Sequence, residues 1–437
     1  MNFEVLYSKV IEPGLCSRCG ICVGGCPVAA IGLRYDNYPE LIDKCTNCGI
    51  CIRCCPGAEV DLPLLSRQVF NGNYVPDDLQ GHVEKMFVGH ATDGQIRATG
   101  TSGALITGLL LYLLKNKIID GAVVTVFDHD DPCKTKGLLA TTSEEIIDAA
   151  KSKYCISSSM EALHTVRKKK GRFAVVGLPC QVQGLRKLMA CDPLLEKKIF
   201  CVLGLYCHCI LEPFIQRDIL KSKGINASDI MRFDFRGGRW PGGFHVVNKE
   251  GRGILLHTTL YTTILNVLFK IYGALRCFVC VDALAEFADL SFGDFWAQDY
   301  REDFSKLAQC TLVSQRTEKG KKILQQAEEA MEIKLYSLPP DRYSERTANM
   351  ANRKKTRAFA RISRLKKNGQ PVPEYHFPLI PPTRKAKRKE RMLRLELLLR
   401  GSLSRKILLK FIFSRAANGF ERVNLCRKKM FCNYQNN

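Results

Sequence analysis

Two cysteine runs near the amino end constrain this chain more than any other feature. Cys16, Cys19, Cys22 and Cys26, followed by Pro27, read C-x2-C-x2-C-x3-C-P. Cys45, Cys48, Cys51 and Cys55, followed by Pro56, repeat the pattern, with Cys54 as an additional cysteine inside the last gap. Three thiolates separated by two residues each can wrap three irons of one cubane. A fourth on the same short loop does not easily reach the far iron, and the proline turns it toward a neighbouring cluster. Gly20, Gly24, Gly25 and Gly49 keep the loops thin where backbone must crowd a cluster. Zinc sites use two C-x2-C pairs rather than two complete runs of four ending in Cys-Pro.

The two runs stand 19 residues apart, and together they are the ligand pattern of a two-cluster bacterial ferredoxin. Crossing of the fourth ligands assigns Cys16, Cys19, Cys22 and Cys55 to one [4Fe–4S] cluster. Cys45, Cys48, Cys51 and Cys26 go to the other. Cys54 is the alternative to Cys55, but Cys55 has the spacing and the following proline.

The chain contains 21 cysteines, and its amino end lacks the basic start and long apolar stretch of a secretory leader. Iron–sulfur ligands must stay as thiolates, so a reducing cytoplasmic setting is expected. No stretch of eighteen apolar residues occurs, so no transmembrane helix is expected. The net charge of +23 is uneven: residues 351–437 hold 24 Lys/Arg against 4 Asp/Glu. The excess belongs to the tail and is no nucleic-acid signature of the whole chain.

The expected organisation is a multidomain α+β and α/β protein. Residues 1–60 are the ferredoxin module and 61–84 a linker. An α/β core follows in two parts, 85–195 and 196–345. Residues 346–437 form a basic, largely helical tail. Within the core, Lys85–His90, Gly121–Phe127, Arg172–Leu178 and Lys198–Leu205 read as strands, the last three continuous apolar runs typical of strands buried on both faces. Thr101–Lys115 reads as a buried helix capped by Thr101 or Ser102. Helical patterns between the strands predict a mostly parallel sheet covered by helices. Residues 231–260 read as short strands with tight glycine turns. In the tail, Arg384–Lys410 is helical and cationic with leucines, and suits an anionic membrane surface or an acidic partner; the alternative is a solvated extension. The localisation expected is cytoplasmic, with or without contact to the inner face of the membrane.

Nine cysteines lie between residues 130 and 300. Cys180 and Cys207 follow strand ends, and Cys277 and Cys280 form a C-x2-C pair. Ligand sites gather at such strand ends in open α/β sheets. Spacing leaves two readings open: four thiolates for a third [4Fe–4S] cluster, or a zinc-binding pair beside two buried small residues. Arg97, Thr101, Ser102 and Gly103 form a loop that opens a helix, suited to a pyrophosphate or to simple capping. The turn carrying Arg239 and Trp240 suits a flat ring or a plain hairpin. Asp289 and Asp294 read as turn caps or as groups near a bound ligand. His208 reads as a proton donor or, more commonly, a structural hydrogen-bonder.

The motifs Thr101-Ser-Gly103, Gly177-Leu-Pro179-Cys180-Gln181, Gly204-Leu-Tyr-Cys207, Cys277-x2-Cys280-x-Asp282 and Ala288-Asp-Leu-Ser-Phe-Gly-Asp294 resemble, in order, those of the coenzyme F420 hydrogenase/dehydrogenase beta-subunit family. The resemblance covers roughly residues 85–340. It implies FAD, iron–sulfur clusters and two-electron chemistry on a conjugated ring. It favours Cys180, Cys207, Cys277 and Cys280 as ligands of the third cluster, with Cys209 in reserve. It also implies cofactor contacts at Arg97, Thr101, Ser102, Gly103, Pro179 and Asp294. Where many members carry Ser-Gly-Gly, this chain has Ser102-Gly103-Ala104. The expected function is a flavin-dependent iron–sulfur oxidoreductase. Its expected partners are a redox protein or ferredoxin and a ring-like substrate such as F420. The alternatives are a ferredoxin-dependent reductase of another unsaturated metabolite and a non-catalytic electron-transfer subunit.

Overall fold

The structure is a computed structural model and describes residues 2–75, 78–238, 242–257, 261–295, 309–337 and 340–413. In the amino-terminal unit the helix Phe3–Leu6 runs into a π-helical turn, Tyr7–Ile11. Short helices Ile21–Gly24 and Ile50–Arg53 sit inside the two cysteine runs, each entered through a left-handed glycine: Gly20 at φ 81° and Gly49 at φ 74°. Gly20 is also a close-approach position, since a β-carbon there would lie 2.3 Å from the Ser158 carbonyl oxygen. Strands β1 (Ile31–Leu33) and β2 (Pro39–Leu41) pair antiparallel. Phe3, Leu6, Val10 and Leu15 share one core with Cys22, Cys26, Cys51 and Cys55.

The stretch expected as a linker is partly structured. Asp61 caps the helix Leu62–Phe70 by accepting from the Leu64 amide. Leu62 and Leu65, on one face of that helix, are buried in the main core. A short apolar stripe on nine residues is easily read as unpatterned.

The later strands are β3 (Lys85–Ala91), β4 (Gly121–Phe127), β5 (Thr135–Ala140), β6 (Phe173–Gly177), β7 (Ile199–Leu205), β8 (Ile230–Gly237), β9 (Gly243–Asn248), β10 (Gly253–Leu255), β11 (Leu290–Asp294), β12 (Thr311–Gln315) and β13 (Ile333–Ser337). Among the described residues eight form one sheet, in the order β13-β3-β12-β11-β7-β6-β4-β5. Pairing is parallel across β4, β6, β7 and β11 and antiparallel outside them. The mostly parallel sheet expected from the alternating pattern is therefore a parallel centre with antiparallel flanks. The link from β4 to β5 is too short for the crossover that parallel pairing requires, so β5 turns back. Alternate side chains enter opposite cores: Val123, Val175 and Val202 face one, Ala122, Ala174 and Leu203 the other.

Strands β10, β9 and β8 form a separate antiparallel sheet. Phe233, Phe235, Phe244 and Val246 pack there with the helices Ile215–Ser222 and Tyr261–Tyr272.

The helix Pro340–Lys367 crosses the boundary expected at residue 345. Its Ala351, Ala358, Phe359 and Ile362 are buried, at the spacing of one helical face. The following extended segment pairs with the amino-terminal unit, where the Val60 amide donates to the Glu374 carbonyl at 2.7 Å. The helix Arg384–Leu397 is held by the buried ion pair Arg361–Glu390 at 2.5 Å. The helix Ser402–Ile412 inserts Leu409 and Ile412 into the core of the small sheet. As far as residue 413, the basic region is thus a layer of the fold rather than an appendage. Its abundant Lys and Arg dilute the apolar stripe in composition without removing it. Among the described residues no helix is long and apolar enough to cross a membrane.

Candidate functional site

The amino-terminal cysteines gather into two sets that mix the two runs. Cys16, Cys19, Cys22 and Cys55 lie within electrostatic reach of one another. Cys51 interacts in the same way with Cys48, Cys45 and Cys26, and all four of these line one small cavity that is partly open to solvent. Backbone amides point at sulfur in matched pairs. Arg18 and Asn47 donate to Cys16 and Cys45 at 3.3 and 3.4 Å, both from left-handed residues. Ala30 and Gly57 donate to Cys26 and Cys55 at 3.3 Å each. Such donors favour thiolate over thiol. Burial works the other way and pushes Cys19 and Cys51 up to about 11, so ligation has to expel protons. Cys54 is fully buried and its thiol donates to the Cys51 carbonyl at 3.6 Å, though it too lies within electrostatic reach of Cys19, Cys22 and Cys55.

A third set forms at the carboxyl edge of the sheet centre. Cys180 is the second residue of the helix Pro179–Cys191, directly after β6. Cys207 follows β7 and is anchored by its amide to the Ala283 carbonyl at 2.8 Å. Cys277 and Cys280 flank the end of a 3-10 turn, Leu275–Val279. Cys180 feels Cys280, Cys207 and Cys277, and also Cys19 of the amino-terminal unit; the third set therefore adjoins the first. Cys209 lies beside Cys277 and lowers its pKa, while the Cys209 thiol donates to the Ile210 carbonyl at 3.5 Å. The donor chemistry fits a cubane. The buried Arg276 has Nε and Nη1 without acceptors among the described residues, beside a ring of thiols that a sulfide-bearing anion would complete.

The residues expected to touch FAD are spread along the same edge. Thr101 accepts from the Ser152 amide at 2.9 Å, the Ser102 carbonyl accepts from the Thr311 hydroxyl, and the Gly103 carbonyl accepts from the Ala91 amide at 2.8 Å. The adjoining helix is Leu105–Lys115, so Thr101 and Ser102 do not cap it. Ala104 sits before it at φ 51°, a left-handed conformation in which glycine would be unstrained. Gly103, at φ 64°, leaves no room for a side chain: a β-carbon would lie 2.8 Å from the Gly89 oxygen. The Arg97 guanidinium lies 4.0 Å from the Cys310 sulfur. Asp294 pairs with Arg236 at 2.5 Å. Tyr206, next to Cys207, packs so closely on Gly293 that a β-carbon there would meet its ring, which links the third cysteine set to the Asp294 end of β11. Pro179 is buried beside Cys180, nearer the cysteines than the Thr101 loop. Arg239 and Trp240 lie outside the described residues.

Two further residues make contacts within the fold. Asp289 accepts from the Val202 amide at 2.7 Å and the Thr317 hydroxyl at 3.0 Å, before the start of β11. It fastens strands at the opposite end of β11 from Asp294. His208 is exposed beside the cations Lys354, Arg357 and Arg353, which disfavour its protonation, and its ring packs against Phe269.

Comparison with known proteins decides the family. Residues 86–164 match the profile described as coenzyme F420 hydrogenase/dehydrogenase, beta subunit N-term, and residues 170–341 match the corresponding C terminus. The chain belongs to this family. It is 28% identical over 340 residues to a coenzyme F420-dependent sulfite reductase of Methanocaldococcus jannaschii, covering 74% of this chain but only 47% of the reductase. It is 27% identical over 338 residues to a component of the F(420)H(2) dehydrogenase of Methanosarcina mazei, covering 75% of this chain and 86% of that one. A coenzyme F420 hydrogenase subunit beta of Methanothermobacter thermautotrophicus is 29% identical over 259 residues, 57% of this chain and 83% of that one. Among solved structures, a chain of the F420-reducing [NiFe] hydrogenase complex from Methanosarcina barkeri shares the fold, with a TM-score of 0.52 at 22% identity over 68% of this chain and 96% of that one.

This F420 hydrogenase/dehydrogenase beta-subunit homologue surrounds its third cysteine set with residues that sequence reading missed. Lys354, 6% exposed, reaches in from the helix Pro340–Lys367 and donates to the Cys207 carbonyl at 2.7 Å. Arg276 donates to the Pro56 carbonyl at 2.8 Å and to the Tyr375 hydroxyl at 3.3 Å. The Tyr375 hydroxyl in turn donates to the Val279 carbonyl at 2.8 Å. Adjacency of Arg276 to Cys277 was a signal in the sequence. Nothing local marked Lys354, one of many lysines in a basic stretch.

Proposed function

We propose that the chain is an iron–sulfur flavoprotein oxidoreductase that exchanges a hydride with coenzyme F420 or a similar ring-like substrate and single electrons with a redox partner protein. The observation that carries this reading is the row of sites: the first cysteine set adjoins the third through Cys19 and Cys180, and the third adjoins the Asp294 end of β11 through Tyr206. The relatives, named as F420-linked sulfite reductase, dehydrogenase and hydrogenase proteins, support F420 as the partner. Bound cubanes carry single electrons and a flavin one or two, so the pair converts one kind of transfer into the other. The cysteines of the two amino-terminal sets and Cys180, Cys207, Cys277 and Cys280 would hold three [4Fe–4S] groups. Arg97 and the loop Thr101, Ser102 and Gly103, with Asp294, would hold FAD.

Anaerobic reconstitution tests the reading. The expected result is about twelve irons per chain, four for each cubane, one flavin, and bleaching of F420 absorbance when reduced protein is mixed with it. About eight irons would remove the third cluster, and absence of flavin would remove the hydride step. Full cofactors without F420 turnover would favour a non-catalytic electron-transfer subunit, or a reductase of another unsaturated metabolite.

The carboxyl-terminal helices support a second contact, with an anionic bilayer surface. Leu395, Leu398, Leu403 and Ile407 are 68%, 77%, 70% and 61% exposed, on helices rich in Arg and Lys. Exposed leucines flanked by cations match the chemistry of anionic headgroups over acyl chains. The full chain is expected to sediment with anionic but not neutral vesicles at low salt, and the double variant L398E/L403E to stay in solution. Equal sedimentation of both proteins would exclude the bilayer and leave this face to a protein partner.

A further inference from the structure

We propose that Lys354 sets the reduction potential of the third cluster, as a fixed cation supplied from beyond residue 341, where the family match ends. The inference rests on the reading that Cys180, Cys207, Cys277 and Cys280 hold a cluster, and it concerns what this chain adds to that site.

The geometry is specific. The Lys354 ammonium is buried and hydrogen-bonded to the backbone carbonyl of a ligand residue, Cys207, at 2.7 Å. The anionic groups facing it are Cys280, Cys207, Cys277 and Asp282. Among the described residues Lys354 forms no ion pair with a carboxylate, whereas its neighbour Lys355 is neutralised by Glu286 at 2.7 Å. Asp282, the carboxylate facing it, is occupied by the Gln183 side chain at 3.2 Å and the Leu284 amide at 2.9 Å. Arg276 is the other buried cation here, but part of its guanidinium is spent on Pro56 and Tyr375.

A cluster held by four thiolates is already an anion, and reduction adds one more negative charge. A neighbouring cation shielded from water stabilises the reduced form more than the oxidised one. Net charge, hydrogen bonds and exposure are the levers that set cluster potentials. Lys354 supplies the first without solvent screening. The helix that brings it is fixed by Phe359 and Ile362 in the main core and by Arg361, which donates to the Phe278 carbonyl at 2.7 Å. The charge is therefore held in register with the Cys277–Cys280 turn.

The test is a spectroscopic redox titration of anaerobically reconstituted full-length protein carrying Lys354→Gln or Lys354→Arg. Glutamine keeps a donor for the Cys207 carbonyl and drops the charge; arginine keeps the charge. In Lys354→Gln one midpoint of three is expected to move negative, by at least a tenfold fall in the reduced fraction at fixed potential, about 59 mV for one electron. The other two midpoints stay in place, and Lys354→Arg restores the first. Loss of four irons in the glutamine variant with retention in the arginine variant would also support the proposal, since charge separates the two. Unchanged midpoints at full iron content would overturn it, as would loss of iron in both variants, which assigns Lys354 to packing alone. A wild-type protein without a third cluster signal would instead defeat the underlying reading.

Discussion

Ending the chain at Ala351 is expected to abolish the cooperative unfolding transition and leave an aggregating protein. The cut removes Lys354, Lys355, Ala358, Phe359, Ile362 and Tyr375, all buried. Without Lys355, Glu286 is left as an unpaired carboxyl in a site where it is 2% exposed. Orphaning one partner of a buried pair costs about 3–5 kcal/mol. Removing a fully buried phenylalanine side chain costs about another 3–5 kcal/mol. The sum reaches the whole stability of an ordinary domain, about 5–15 kcal/mol. The single change Phe359→Ala should keep the fold and lower the unfolding free energy by about 3–5 kcal/mol. Denaturant titration followed by circular dichroism checks both. A truncated chain that unfolds at the denaturant midpoint of the intact one would restore the view of this region as an appendage.

What the sequence made legible follows the range over which each signal acts. The cysteine runs are local, because a cubane takes most of its ligands from one short loop, and they stand out by spacing alone. Strands β4, β6 and β7 were equally plain, since burial on both faces leaves continuous apolar runs such as Gly121–Phe127. Edge strand β5 mixes Thr135, Lys136 and Gly137 with two leucines and carries no such signature. The helix Pro340–Lys367 was hidden for a different reason. Its buried face includes Lys354, Lys355 and Arg361, which composition counts as surface. Their partners, Cys207, Glu286 and Glu390, come from remote parts of the chain. The motif Ala288–Asp294 shows the limit of motif reading. Its two aspartates look equivalent in sequence, yet the strand between them carries one to a structural clamp and the other to the Arg236 pair.

If the chain holds the three clusters and the flavin proposed for it, replacing Cys180 by serine should remove four of about twelve irons and leave the amino-terminal clusters and the flavin in place. Cys180 has no substitute on its own loop, since the other members of its set arrive from Cys207 and the Cys277–Cys280 turn. Cys209 is poorly placed to replace it, its thiol being turned to the Ile210 carbonyl at 3.5 Å. Cys209→Ser is accordingly expected to retain all the iron, as is Cys54→Ser, whose sulfur faces the Cys51 carbonyl. The three variants also separate the steps of electron flow. In Cys180→Ser, reduced F420 should still reduce the flavin, because Arg97, the Thr101 loop and Asp294 are untouched. Passage of those electrons to an external one-electron acceptor protein should fall to background, because the third set is the one that joins the Tyr206 contact on one side to Cys19 on the other. Iron and sulfide assays together with rapid-mixing spectra measure both halves. Retention of full iron in Cys180→Ser, or loss of it in Cys209→Ser, would reassign the fourth ligand. Unimpaired transfer with four irons missing would show that electrons reach the amino-terminal clusters by another route.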